Sequence, residues 1–201
     1  LGQNALLSNS QGKFNTAIGN GSLYANTTAD SNVAIGTETL KANTTGSENI
    51  AIGYRALQSN TTGTENLSIG TMSLQSNTTG QRNIGIGSRA LYLNTTGSNN
   101  TASGYYSLFY NTTGANNTAS GTSSLNSNTT GSNNSASGAY SLTSNTTGSS
   151  NTAYGTQALQ SVTTGEKNTA LGTFAGYTDG GGLVTGDNNV FIGYKAGSTE
   201  T

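Results

Sequence analysis

The sequence predicts an all-β fold, a parallel β-roll or β-solenoid of about 12 coils with a 17-residue repeat. Two observations carry this. Asn-Thr-Thr begins at Asn26, Asn43, Asn60, Asn77, Asn94, Asn111, Asn128 and Asn145, and leucine recurs in the same register at Leu23, Leu40, Leu57, Leu74, Leu91, Leu108, Leu125, Leu142 and Leu159. The third observation is composition. Only 31% of the 201 residues are hydrophobic and 7% are charged, with 29 glycines and no proline, cysteine or tryptophan. Disordered chains of low hydrophobicity are usually rich in charge and proline, so a repeat explains this composition better than disorder does.

Each unit runs Asn-x-Ala-x-Gly, then x-x-(Ser/Ala)-Leu-x-x, then Asn-Thr-Thr-Gly and two variable residues. Seventeen residues are too few for a helix-turn-helix repeat, which needs about 30 or more. Asn, Thr, Ser and Gly are also poor helix formers. Asn32-Val33-Ala34-Ile35-Gly36 alternates as a strand does. Tyr54-Arg55-Ala56-Leu57-Gln58-Ser59 is long enough for a second short strand, and Asn60-Thr61-Thr62-Gly63 supplies turn chemistry. Two strands and two corners per coil are expected, with almost no helix.

Variation among coils separates inside from outside. The Leu, Ala and Gly positions barely change, as stacking a narrow coil on copies of itself requires. The positions flanking Ala swing from Val33, Ile35, Ile50, Ile52, Leu67, Ile69, Ile84 and Ile86 to Thr101, Ser103, Thr118 and Ser120. A buried hydroxyl needs a partner, so this face points outward, and in the early coils it is an apolar candidate subunit interface. The Leu column is the core ladder. The Asn-Thr-Thr asparagines form either an amide ladder between coils or, as formal Asn-x-Thr acceptors, glycosylation sites. Their threonines also make a regular array of the kind an ice-binding solenoid presents.

The Asn-Val-Ala-Ile-Gly of residues 32–36 and its relatives at 49–53, 66–70, 83–87 and 189–193 resemble the head repeats of YadA-like trimeric autotransporter adhesins and related bacterial and viral fibre proteins. The resemblance runs from Gly2 to Gly197. It implies a left-handed parallel β-roll, three chains around one axis, and a place at a cell surface or on a virion fibre. The family's head repeat is nearer about 14 residues than 17, and the Val/Ile positions turn to Thr/Ser over residues 100–138.

One repeat domain is expected over residues 1–201. Regular coils run through about residue 167, an irregular coil with an inserted loop covers 168–188, and a partial coil covers 189–201. In the irregular part Gly176 stands where leucine is due, and the turn expands through Asp179-Gly180-Gly181-Gly182-Leu183-Val184-Thr185-Gly186. This is expected of an insertion before another coil, or of an assembly or cap site. Leu1 falls in mid-pattern, as in a piece of a longer chain.

Function classes narrow by subtraction. Without His or Cys the chain lacks the commonest general base, thiol nucleophile and zinc ligands. Seven basic against eight acidic residues leave no electrostatic footprint for nucleic acid. No apolar run is long enough to cross a membrane. The carboxylate pair Glu48 and Glu65, one coil apart, has the spacing but not the surroundings of a glycosidase site. Asp179 and Asp187 in a Gly-rich loop lack the alternating ligand pattern of a Ca²⁺ loop. Tyr92, Tyr105, Tyr106, Phe109 and Tyr110 form an aromatic cluster in a stretch, residues 90–165, without a single charge, and are a candidate partner surface for sugar or protein. No enzyme activity and no cofactor are expected. The expected role is a fibre or adhesin segment, extracellular, presenting a surface for attachment. Its partners are the chain itself, as homotrimer or filament, and host or surface glycans or a matrix protein, without nucleic acid or membrane contact. The alternatives are a self-assembling filament without a receptor and an ice-binding solenoid.

Overall fold

A computed structural model describes residues 2–178 and 185–198. The inserted segment at residues 179–184, with Asp179, lies outside the described residues. The polypeptide winds as a solenoid with one three-residue strand per coil: β1 (Thr16–Ile18), β2 (Val33–Ile35), β3 (Ile50–Ile52), β4 (Leu67–Ile69), β5 (Ile84–Ile86), β6 (Thr101–Ser103), β7 (Thr118–Ser120), β8 (Ser135–Ser137), β9 (Thr152–Tyr154), β10 (Thr169–Leu171) and β11 (Val190–Ile192). All eleven lie in one parallel sheet in sequence order. The sequence predicts about 12 coils; the eleven strands enclose about ten full turns, and residues 2–14 contribute turns rather than a strand. Register follows the repeat: Ala34 faces Ala51, Thr101 faces Thr118, and beyond the four-residue insertion Ala170 faces Phe191.

The middle residue of each strand points inward and its neighbours outward. Ala34, Ala51, Ala102, Ala119 and Ala153 are fully buried, as is every leucine from Leu23 to Leu159 in the ladder. One column of leucines and one of alanines therefore make the apolar core. Buried polar side chains are as numerous as buried apolar ones, which is how a chain with so little hydrophobic content still fills its interior.

The expected second strand does not form. The segment after the strand is a pair of tight turns, with Ser22 N–H donating to Gly19 C=O at 3.3 Å and Asn26 N–H to Leu23 C=O at 3.2 Å. Two of its residues sit in the left-handed region in every regular coil, for example Glu38 (φ 56°) with Leu40 (φ 49°), and Arg55 (φ 56°) with Leu57 (φ 50°). A third, such as Glu48 (φ 61°) or Asn99 (φ 59°), precedes the strand. Leucine in this region is strained by roughly 1 kcal/mol or more. The strain persists because the turned leucine reaches the core and its backbone still joins the ladder: Leu40 N–H donates forward to Ala56 C=O at 3.1 Å, and Glu38 N–H backward to Asn20 C=O at 2.8 Å. The strand-ending glycines are obligatory. At Gly53 (φ 133°) an added Cβ would lie 2.6 Å from the Gly70 carbonyl oxygen of the next coil.

Candidate functional site

The Asn-Thr-Thr asparagines form the amide ladder. Each Nδ2 donates to the Oδ1 of the preceding coil's asparagine, from Asn26 to Asn9 at 2.8 Å through Asn145 to Asn128 at 2.8 Å. It also donates to the carbonyl three residues on, as in Asn43 to Gly46 at 2.8 Å. These side chains are fully buried, so their Nδ2 atoms are not presented to a glycosylating enzyme in the folded coil. The ladder ends at Val162, and there the Asn145 Oδ1 is buried without a hydrogen-bond partner.

A second asparagine column, not anticipated from the sequence, opens every strand: Asn15, Asn32, Asn49, Asn66, Asn83, Asn100, Asn117, Asn134, Asn151, Asn168 and Asn189. The Oδ1 of Asn32 accepts the backbone N–H of Asn49 at 3.0 Å, and this repeats along the column to Asn168 and Asn189 at 3.0 Å. The Nδ2 of Asn32 donates to Gly46 C=O at 3.0 Å. Gly46 C=O thus accepts from both columns, as Gly63 C=O does from Asn60 and Asn49 at 2.9 Å each. The turn glycine's carbonyl cross-links the two ladders. The signal was available: this column survives in every coil, including beyond the insertion, whereas the Asn-Thr-Thr column does not.

The threonine pairs divide. The first hydroxyl donates to the next coil's threonine carbonyl, as in Thr61 to Thr78 at 3.1 Å, while the second threonine, as at Thr62, is exposed. The exposed threonines run in single file rather than as a two-dimensional array.

The aromatic cluster is a stack along the solenoid. Tyr92 and Phe109 lie parallel at 5.0 Å and Phe109 and Tyr106 at 4.8 Å. Arg89 covers Tyr106 at 5.4 Å from its centroid and donates to its hydroxyl. The hydrogen bond with Tyr106 is the first cause holding the Tyr105 phenol above its usual range. Most ring faces are therefore spent on one another. Tyr105 and Tyr110, which meet Tyr106 tilted and Phe109 edge-on, remain exposed.

The charged groups lie at the corners. Glu38 accepts from Lys41 Nζ at 2.7 Å, from Arg55 Nε at 2.8 Å and from Gln58 Nε2 at 2.9 Å. The Lys41 bond, then the Arg55 bond, holds its carboxyl below the ordinary value. Glu65, one coil from Glu48, pairs with Arg82 at 3.1 Å. Asp187 Oδ1 accepts the Glu166 N–H at 2.7 Å. Among the described residues no three acidic side chains cluster as a metal site would require, and no pocket is formed.

The outward strand face is what remains. Ile50 and Ile52 in β3, Ile69 in β4, and Ile84 and Ile86 in β5 are each more than a third exposed, Ile50 at 41%. Val33, Ile35 and Leu67 beside them are half-buried. No outward position of the eleven strands carries a charge or an amide. Charges stand instead on both sides of the stripe, with Glu38, Arg55 and Arg89 two residues after the strand-ending glycine and Glu48, Glu65 and Arg82 just before the strand asparagine. Parallel sheets are usually covered on both faces. This one is covered by its own coil on one face only. An apolar strip between charged rims has the anatomy of a protein interface. Comparison with known proteins found no matching family model, no matching curated protein and no matching solved structure.

Proposed function

We propose that this chain is a structural segment of an extracellular fibre, a rod whose strand face packs against copies of itself in a homotrimer. The observation that carries the proposal is the bare apolar stripe of β2–β5, set between charged rims and backed by hydrogen-bonded ladders that run the length of the sheet. The task is mechanical, and no catalytic step is invoked. Two rows of side chains stand on each sheet, so one row can meet each of two neighbours. That is what a closed ring of heterologous contacts requires. The resemblance of Asn-Val-Ala-Ile-Gly to fibre-head repeats points the same way and adds the left-handed winding. Adhesion follows as a use of the rod's length and lateral surface, where weak contacts to glycans or a matrix protein add by multivalency.

Native mass spectrometry tests the proposal. The expected mass is about 61 kDa, three copies of the 20.2 kDa chain. Replacing Ile52→Lys and Ile86→Lys together is expected to give folded monomers, because like charges then meet in a desolvated strip. A wild-type protein that stays monomeric at micromolar concentration would overturn the trimer.

A further inference from the structure

Three exposed asparagines stand outside both ladders. Asn99, Asn116 and Asn133 occupy the position just before the strand asparagine in three consecutive coils, and each begins an Asn-Asn-Thr or Asn-Asn-Ser triplet that ends on Thr101, Thr118 or Ser135. Their backbone N–H groups are tied to the preceding coil, donating to Gln81, Ser98 and Ala115 C=O at 3.0, 3.1 and 3.0 Å. Among the described residues their side chains, and the hydroxyls of Thr101, Thr118 and Ser135, make no hydrogen bond. Conformation does not demand asparagine here. The φ of Asn99 is 59°, and Ser31 (58°), Arg82 (55°) and Lys167 (56°) hold the same setting in other coils. Every other Asn-x-Ser/Thr triplet is closed. The Asn-Thr-Thr amides are buried in their ladder, and Asn66 Nδ2 is held by Asn49 Oδ1 at 3.1 Å and Gly80 C=O at 2.9 Å. Asn20 is exposed, but the Ser22 hydroxyl of its triplet is buried on Gly19 C=O at 2.9 Å.

We infer that Asn99, Asn116 and Asn133 are modification sites that carry N-linked sugar. The co-reactant is an activated sugar whose anomeric carbon is bound to the diphosphate of a nucleotide or lipid carrier. The bond from Asn Nδ2 to the anomeric carbon forms as that carbon's bond to the diphosphate oxygen breaks. One amide proton is lost, the diphosphate leaves on its carrier, and nothing is oxidised or reduced. An Asn-x-Ser/Thr triplet is the acceptor that such a transfer uses. The fold decides which triplets can hold the product. Sugar on a ladder asparagine removes buried hydrogen bonds, whereas at Asn99, Asn116 and Asn133 it removes none. The three sites lie one strand spacing apart, about 4.8 Å, beside the strands whose outward residues are Thr and Ser, β6–β8. Sugar at this edge keeps the hydroxyl stretch hydrated and leaves the apolar stripe of β2–β5 clear. Export of the chain is the one part of the proposed function on which the modification rests; the number of packed copies does not enter.

Mass spectrometry of the protein purified from the cells that make it is the test. Denatured and cut after Lys and Arg, the chain yields one peptide, residues 90–167, that holds all three sites together with Asn94, Asn111, Asn128 and Asn145. Electron-transfer fragmentation is expected to place hexose or N-acetylhexosamine on Asn99, Asn116 and Asn133 and none on the four ladder asparagines. Asn188 is an internal control, exposed and with φ 60°, but followed by Asn189 and Val190. It should be bare in the wild type and gain sugar in Val190→Thr made in the same cells. Thr118→Val should strip sugar from Asn116 alone, with the melting midpoint moved by less than about 2 °C. Native mass reads the copy number separately: a trimer without sugar overturns the modification and spares the trimer, and a monomer with sugar does the reverse. Bare asparagines at the three sites, sugar on the ladder asparagines, or sugar kept on Asn116 in Thr118→Val would each overturn the inference.

Discussion

At the scale of the residue, buried amides do the work that hydrophobic side chains do elsewhere. Asn94 donates to Asn77 Oδ1 at 2.8 Å and to Gly97 C=O at 2.9 Å, and accepts from Asn111 Nδ2 at 2.7 Å. Asn94→Ala orphans the buried Asn77 Oδ1, at about 1–3 kcal/mol, and removes two further bonds of about 1 kcal/mol each. Gly97 C=O keeps the Asn83 amide and Asn111 Nδ2 keeps Gly114 C=O, so a loss of about 3 kcal/mol is expected in chemical denaturation. The converse change is available at Val162. Val162→Asn gives the orphaned Asn145 Oδ1 a donor, and the gain should exceed the lost burial of the valine methyls by about 1 kcal/mol, read as a raised midpoint. Glu38 gives a pH signature. Its carboxyl is held below its unfolded value by Lys41 and then Arg55. The stabilisation is therefore complete above the unfolded pKa of about 4.3 and is lost as pH falls below it. The group is near the surface, so the effect is less than about 1 kcal/mol and fades with salt. In Glu38→Gln the acid side of the stability profile should flatten by that amount.

At the scale of the element, the corner after each strand differs most from expectation. An extended second strand would accept valine in place of leucine readily, at about 1 kcal/mol. At Leu108 (φ 49°), a β-branched side chain meets its own backbone, so Leu108→Val is expected to cost about 1–2 kcal/mol beyond that figure. A loss of only about 1 kcal/mol would favour an extended corner. The period, the leucine column and the outward strand face were legible in the sequence because each repeats at a fixed interval and differs in kind from its neighbours. The left-handed corner was hidden because Leu, Glu, Arg and Met carry no mark of it. Gly21 (φ 65°), at the Glu38 position, and Gly176 (φ 65°) and Gly197 (φ 67°), at the leucine position, hint at the conformation. The second asparagine column was in plain view but sat inside a motif that already had an explanation as a strand. Gly176 stood out, whereas the side chains that fill the space beside it, Leu159 and Phe191, come from the neighbouring coils on either side.

At the scale of the molecule, every coil contacts only its neighbours, so stability is expected to be additive along the axis, with fraying from the ends. Amide exchange should be slowest in β4 to β8 and quicken toward β1 and β11. The central claim is that each 17-residue winding adds one strand spacing of about 4.8 Å. The chain contains no cysteine, so pairs of spin labels can be placed cleanly at the exposed threonines of the single file. Pairing Thr28 with Thr79, Thr113 and Thr164 separates the labels by three, five and eight coils. Pulsed electron resonance on labelled chains diluted into unlabelled ones should give distances rising in a straight line, through roughly 14, 24 and 38 Å. Distances that level off, or that do not grow with the number of coils, would contradict the stacked solenoid.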